Sequence, residues 1–476
     1  MHSLLRVHAE RDMRRVLSVC SLTISFLLFA GFTSQALAVP SFARQTGIAC
    51  EGCHTVFPEL TPFGRAFKLN GYLINNLPQV KAMTSDEKES LLLNQLPPLS
   101  LLFQTSYTKT SKPLPDPVAG DSQNGQVLLP QQASLFYAGR IAPKIGGFIQ
   151  MTYASDSGTF GWDNTDIRFV DHATLGGTDV TWGITLNNNP TVQDVWNSTP
   201  AWQTPFDQHS SAAPTPAAAT QVDGTLGGNV AGLTLYGHFA NSFYAEIGGY
   251  RSAQQGATGG NFGNAGPLNS SSNLNNVVNG TAPYWRLAYE RQWDQNSWSI
   301  GTFGMNVEVL PGGTGVPLTG STNRYDDLAV DSQYQFIGDK SIYSVQAVYI
   351  HEKQHLDANV AADPTANSTN TLKTMRIGGS YYYERKWGGA LGYFSTTGTS
   401  DSVMYPAGTA VTGSANNSPD SKGWVVELNY IPWQNVKFAL QYTAYNKFNG
   451  GTDNYDGLGR NASDNNTLYL LGWFNF

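Results

Sequence analysis

The chain has 476 residues, of which 13% are charged, and a formal net charge of -7. That charged share is about half of what soluble proteins carry, and the acidic balance, with a pI near 5.6, gives no basic footprint for nucleic acid. A mean hydropathy of -0.27 excludes a bundle of lipid-spanning helices, and no window reaches the roughly eighteen apolar residues such a helix needs.

Residues 1–38 read as a secretory signal. Arg6, Arg11, Arg14 and Arg15 make a basic start, residues 16–32 are largely apolar, and Ala36-Leu37-Ala38 is a small-residue cleavage site. Cys20 lies inside the apolar run and leaves with it. The mature chain then keeps Cys50 and Cys53 alone, so no structural disulfide is expected in a compartment that would permit one.

Residues 39–98 form a small, mainly helical segment around Cys50-Glu51-Gly52-Cys53-His54. Two cysteines at this spacing followed at once by histidine are the attachment signature of a c-type haem. Each thiol bonds one vinyl side of the porphyrin, and the adjacent imidazole then lies under the iron as the proximal ligand, here His54. Phe42, Phe57, Phe63 and Phe67 surround the motif as candidates to pack on the porphyrin. Arg65 and Lys68 are candidates to neutralise its propionates, with a solvated basic face as the other reading. Thr61-Pro62 predicts a helix start, and Gly71 its stop. Thr84-Ser85-Asp86-Glu87 predicts a second helix through Leu91, Leu92, Leu93 and Leu96, ended by Pro97-Pro98. Met83 is the methionine available as distal ligand. It competes with Lys68, Asn70, Tyr72, a barrel histidine or an open position.

The run Phe42-Ala43-Arg44-Gln45-Thr46-Gly47, the Cys50-x-x-Cys53-His54 motif, Phe57-Pro58-x-Leu60 and Phe63-Gly64-Arg65-x-Phe67-Lys68-x-Asn70-Gly71-Tyr72 together resemble the outer-membrane iron-oxidising cytochromes fused to porins. The resemblance implies a monohaem oxidoreductase acting on metal ions. Its donor would be extracellular Fe(II), and its acceptor a periplasmic blue-copper protein or soluble c-type cytochrome. It carries over Cys50, Cys53 and His54, and it assigns neither the distal ligand nor an Fe(II) docking site.

From Leu99 onward the pattern changes to a period of two. Trp424, Val426, Leu428 and Tyr430 alternate with Val425, Glu427 and Asn429. Val436, Phe438, Leu440, Tyr442 and Ala444 alternate with Lys437, Ala439, Gln441, Thr443 and Tyr445. This is the apolar-out, polar-in dyad of a transmembrane β-barrel, so residues 99–476 are expected to form a porin-like barrel embedded in outer-membrane lipid. Long polar connections (111–130, 188–229, 252–281, 309–322, 355–369, 399–421, 449–464) alternate with tight turns at 142–144, Gly176-Gly177, Asn241, Asp294-Gln295, Gly338-Asp339 and Gln434-Asn435. The count is about sixteen antiparallel strands, with both barrel termini on the periplasmic side. A soluble β-sandwich needs neither the lipid-facing aromatics nor the alternating loop lengths. Arg286, Glu290, Arg376, Glu384 and Glu427 are expected to face the lumen, where they hold a plug, steer cations or merely line the wall.

The haem segment either plugs the lumen from the periplasmic side or sits at its mouth, and the plug is the favoured expectation. The alternatives in function are a solute-transport porin with a structural or regulatory haem, and a conduit that exports electrons.

Overall fold

A computed structural model describes residues 40–74, 79–83, 89–115, 123–154, 158–200, 212–252, 277–311 and 319–476. The signal segment and the expected helix start at Thr84–Glu87 lie outside these residues.

Sixteen long strands close into one antiparallel barrel. They run Leu99–Thr110, Gln126–Ala142, Ile145–Ala154, Thr159–Leu175, Thr178–Asn187, Ala231–Phe239, Phe243–Arg251, Ala282–Trp293, Asn296–Leu310, Asn323–Ile337, Ser341–His355, Thr369–Tyr383, Trp387–Gly398, Ser421–Trp433, Val436–Lys447 and Thr467–Asn475. A two-residue strand, Val277–Val278, adds to the edge of Asn296–Leu310. Thr467–Asn475 pairs with Leu99–Thr110 and seals the cylinder. Closure satisfies every ladder without an open edge, which a strand structure needs in lipid. Among the described residues no helix is long and apolar enough to cross a membrane.

The dyad is realised side chain by side chain. Trp424, Val426, Leu428 and Tyr430 are exposed on the outer wall, while Val425, Glu427 and Asn429 are buried inside. Seven connections of two or three residues mark one end: 143–144, 176–177, 240–242, 294–295, 338–340, 384–386 and 434–435. Phe243, Trp293, Tyr383, Trp387 and Trp433 stand exposed beside these turns, as the aromatic girdle of a membrane barrel does. The barrel begins and ends at this same end, where Leu101 N–H donates to the Phe476 carbonyl at 3.0 Å.

Two connections differ from the sequence reading. The turn at 384–386 carries Glu384 (φ 49°) and Arg385 (φ 57°) in the left-handed region, so neither glycine nor asparagine announces it. Glu384 is therefore exposed in a turn rather than facing the lumen. The connection 155–158, at the opposite end, is only four residues long and breaks the alternation of long and short. A third difference concerns Glu89–Asn94, which is a strand paired with Gln79–Met83 (Val80↔Leu93, Lys81↔Leu92, Ala82↔Leu91) and not a helix. Consecutive leucines alternate between the two faces of a strand, whereas one helix face would need them three or four apart.

The N-terminal segment is packed inside the barrel at the tight-turn end. It contains helices α1 (Pro40–Thr46), α2 (Cys50–Cys53) and α3 (Pro62–Leu69). Arg65 of α3 is the main tie. Its Nε and Nη2 grip both oxygens of Glu290 at 3.0 Å, and Nη1 donates to Gln333 and Gln335 at 3.1 and 2.9 Å. Glu59, also buried, accepts from Gln333 at 3.0 Å and from the hydroxyls of Thr55 and Ser344. Tyr72 donates to Asp166 at 2.6 Å. Gly146 lets the segment's backbone touch the wall, since a Cβ there would stand 2.0 Å from the Gly71 carbonyl oxygen.

Removing one partner of a buried, fully bonded ion pair leaves an uncompensated charge and costs about 3–5 kcal/mol. Glu290→Ala should therefore loosen the segment without opening the barrel. Limited proteolysis should cut within residues 40–98 of the variant at protease concentrations that spare the parent, while heat-modifiable migration of the barrel stays unchanged.

Candidate functional site

The local fold brings the two cysteines and the histidine to one wall. Thr61 caps α3 by accepting from Gly64 N–H at 3.1 Å, and its hydroxyl donates to the Gly52 carbonyl of α2 at 2.7 Å. The two helices touch backbone to backbone. A Cβ on Gly64 would lie 2.1 Å from the Cys53 carbonyl oxygen, so only glycine fits there. The extended segment His54–Val56 then returns against Glu59–Leu60. Outside, Glu51 is held by Arg385 at 3.3 Å and by Gln434 at 3.0 Å.

Cys50, Cys53 and His54 line a single cavity whose empty space, open mouth included, is about 1340 Å³. Its walls are mostly apolar. The N-terminal segment supplies Phe42, Phe57, Leu60 and Phe67, and the barrel supplies Leu102, Phe136, Phe148 and Trp473. The rings are in mutual contact. Phe57 lies 4.6 Å from the His54 ring, Phe42 stacks on Tyr72 at 5.5 Å, and Phe42 meets the edge of Phe67 at 5.1 Å. The third contribution comes from the long connection after Thr178–Asn187, through Val192, Asp194, Val195 and Asn197.

The cysteines form no disulfide, and burial pushes the Cys53 thiol up to about 11. Burial likewise drives the His54 imidazole down to about 4, against a smaller opposing effect of the backbone at Glu59 and Pro58. It is thus neutral over the ordinary range, the form that binds a metal. Its Nδ1 is buried and has no hydrogen-bond partner. Two thiols and a neutral imidazole on one wall of an aromatic cavity can hold a flat apolar macrocycle covalently and ligate its metal from one face.

Of the residues singled out in the sequence, Cys50, Cys53, His54, Phe42, Phe57, Phe67, Lys68 and Tyr72 meet at this cavity, and Phe63, Arg65, Asn70 and Met83 do not. Phe63 is 47% exposed on the far side of α3, and Met83 is 56% exposed and no part of the cavity wall. Methionine opposite His54 is therefore not built into this arrangement. Arg65 is bound to Glu290 at 3.0 Å. Lys68 lines the cavity, yet its ammonium already donates to the Val192 carbonyl and lies 3.5 Å from that of Asp194. Burial lowers its pKa to about 8, with Asp166 opposing.

Sequence reading missed the barrel contribution and the inward loop. Trp473 is signalled by its inward phase next to the terminal Phe474. The loop is signalled by Pro190-Thr191-Val192-Gln193-Asp194-Val195-Trp196, an apolar run in a connection otherwise rich in polar residues.

No family model and no curated protein matches the sequence. Solved porin structures do resemble it. OmpF of Salmonella typhi in complex with daunomycin is 14% identical with a TM-score of 0.46, over 79% of this chain and 97% of that one. The outer membrane channel DcaP of Acinetobacter baumannii is 10% identical with a TM-score of 0.43, over 79% and 96%. The anion-selective porin from Comamonas acidovorans is 12% identical with a TM-score of 0.42, over 79% and 98%.

Gly64→Ala should force α3 off Cys53, an overpacking cost of about 1–3 kcal/mol, and should lower the amount of covalently attached haem in pyridine haemochrome assays. Met83→Ala should leave the optical spectrum and midpoint potential of the haem-loaded protein unchanged.

Proposed function

We propose that this chain is an outer-membrane oxidoreductase of the iron-oxidising, porin-fused cytochrome type. In this reading it takes electrons from extracellular Fe(II) and delivers them to a periplasmic blue-copper protein or c-type cytochrome. One observation carries the reading: Cys50, Cys53 and His54 converge on an aromatic cavity within the tight-turn mouth of a closed sixteen-strand barrel.

The residues present fit a c-type haem. The buried, neutral His54 imidazole and the two cysteines on the same apolar wall are the donor set it requires. Bound there, the haem supplies a one-electron couple. The chain does the rest. Cys50 and Cys53 would hold the group by thioethers, and His54 would ligate its iron. Phe42, Phe57, Phe67 and Trp473 exclude water. No residue needs to move a proton at the iron for an outer-sphere electron transfer. Cavity residues near the chain's start and end lie at the tight-turn mouth, which faces the periplasm in a barrel of this construction, so the acceptor docks there.

The second reading is a solute-transport porin with a structural haem, and the sixteen-strand architecture itself favours it. The occupied bore opposes it. Arg65, Glu59 and Tyr72 bolt the N-terminal segment to the wall. The described residues of the inward loop bond to the wall further along, with Ser198 donating to Asp331 at 2.8 Å and Gln221 N–H to Glu352 at 2.7 Å.

Anaerobic mixing of the purified, haem-loaded protein with ferrous sulfate at acid pH should produce reduced haem bands. In planar bilayers the same protein should show little conductance. An unreduced haem together with steady porin-like conductance would establish the second reading instead.

A further inference from the structure

On the outer wall, three neighbouring strands end in cations on the side of the long loops. In Asn323–Ile337, Ser341–His355 and Thr369–Tyr383, the residues Arg324, Lys353 and Lys373 are exposed and continue the outward phase of Leu328, Tyr349 and Met375. Strand pairing sets them side by side. Arg324 lies opposite Glu308 and His355, Lys353 opposite Asp326 and Thr371, and Lys373 opposite His351. Adjacent strands are about 4.8 Å apart, so three permanent cations and two histidines share one patch. Its carboxylates are already engaged. Asp326 is 3.4 Å from Arg324 and 3.8 Å from His355, and Glu308 accepts from Asn279 at 3.4 Å and from Thr322 at 3.5 Å. Among the described residues, Lys353 and Lys373 have no ion-pair partner. At the same level elsewhere on the wall, Lys109, Arg251 and Lys422 stand singly.

The depth of the patch follows from the strands themselves. Tyr343 and Tyr381 are exposed near the tight-turn end. Lys353 comes ten residues after Tyr343, and Lys373 eight before Tyr381. A tilted strand crosses the hydrocarbon in roughly 9–11 residues, so these cations emerge at the level of the outer-leaflet headgroups. Below them the wall is recessed. Ile300, Thr302, Val330, Ala347, Met375 and Ile377 border an apolar concavity whose empty space, open side included, is about 1570 Å³. Short side chains cut it: Ala347 is paired with Ser332 on one side and faces Ile377 on the other. Met375, on its border, is two residues from Lys373.

We propose that this face of the barrel binds a phosphorylated, multi-acyl lipid of the outer leaflet. Arg324, Lys353 and Lys373 hold its phosphates, as paired charges of opposite sign at a membrane surface do, and its chains occupy the recess between Ile300 and Ile377. The site is on the outer wall and does not depend on what the cavity beside Cys50 carries.

For the test, the full chain is purified in neutral detergent, stripped of lipid and titrated with diphosphoryl lipid A, with the same lipid after dephosphorylation, and with inorganic phosphate. Native mass spectrometry reads the bound adducts, and heat-modifiable migration confirms that every variant is folded. The parent should bind diphosphoryl lipid A in preference to the dephosphorylated form. The triple variant Arg324→Gln, Lys353→Gln, Lys373→Gln should bind it about tenfold or more weakly, since each cation near a membrane surface is worth about a fivefold change. A second triple variant, Lys109→Gln, Arg251→Gln, Lys422→Gln, removes equal charge elsewhere and should bind as the parent does. Ala347→Trp, which fills the recess and keeps the cations, should also weaken lipid binding. Equal losses in the two triple variants, no preference for the phosphorylated lipid, saturation by inorganic phosphate at the same concentration, or parent-like binding by Ala347→Trp would each overturn the proposal.

Discussion

Arg65 carries a positive charge where there is almost no water, and the rest of the site depends on that charge being answered by the barrel. A guanidinium buried to 2% exposure is tolerated only when its donors are matched in geometry as well as charge. Glu290, Gln333, Gln335 and Ser297 come from three adjacent strands and meet that demand together. The N-terminal segment therefore has one seating. Because α3 is fixed, Gly64 is fixed against Cys53, and the wall that presents both thiols and the imidazole is set to within a side-chain contact.

The strands were legible because a membrane barrel writes a simple rule into its sequence. Ser421–Trp433 and Val436–Lys447 alternate residue by residue as read. The failures have local causes. Glu384-Arg385 turns the chain with charged residues in a conformation usually given to glycine. Leu91 to Leu93 carry enough apolar mass for a helix, and only the partner strand Gln79–Met83 decides otherwise. In the cavity, the cluster of two cysteines and a histidine was plain in the sequence and its immediate aromatics nearly so. Met83 lies away from the cavity, because sequence proximity and chemical suitability are silent about direction, and its side chain is exposed. Trp473 and Val195 lie hundreds of residues from the motif or within a polar loop, and only tertiary pairing brings them to it.

The inward loop changes what the bore is. In the described lumen, the segment before the barrel and the loop after Thr178–Asn187 meet at Lys68, whose ammonium bonds the loop's carbonyls. Helix, loop and wall thus share one polar junction beside an apolar chamber. The division of labour follows from physical chemistry: charges register the parts, and aromatic surface shapes the space between them.

The seam between Thr467–Asn475 and Leu99–Thr110 has a consequence for biogenesis. The first strand of the cylinder directly follows the segment that ends up inside, and its partner is the sixteenth long strand in chain order. Contacts between chain ends are the slowest to form. Until they do, the barrel has an open edge and the N-terminal segment is accessible from it; pairing of the final ladder then encloses that segment. Closing the barrel is thereby also the step that completes the cavity wall, since Leu102 of the first strand and Trp473 of the last meet there.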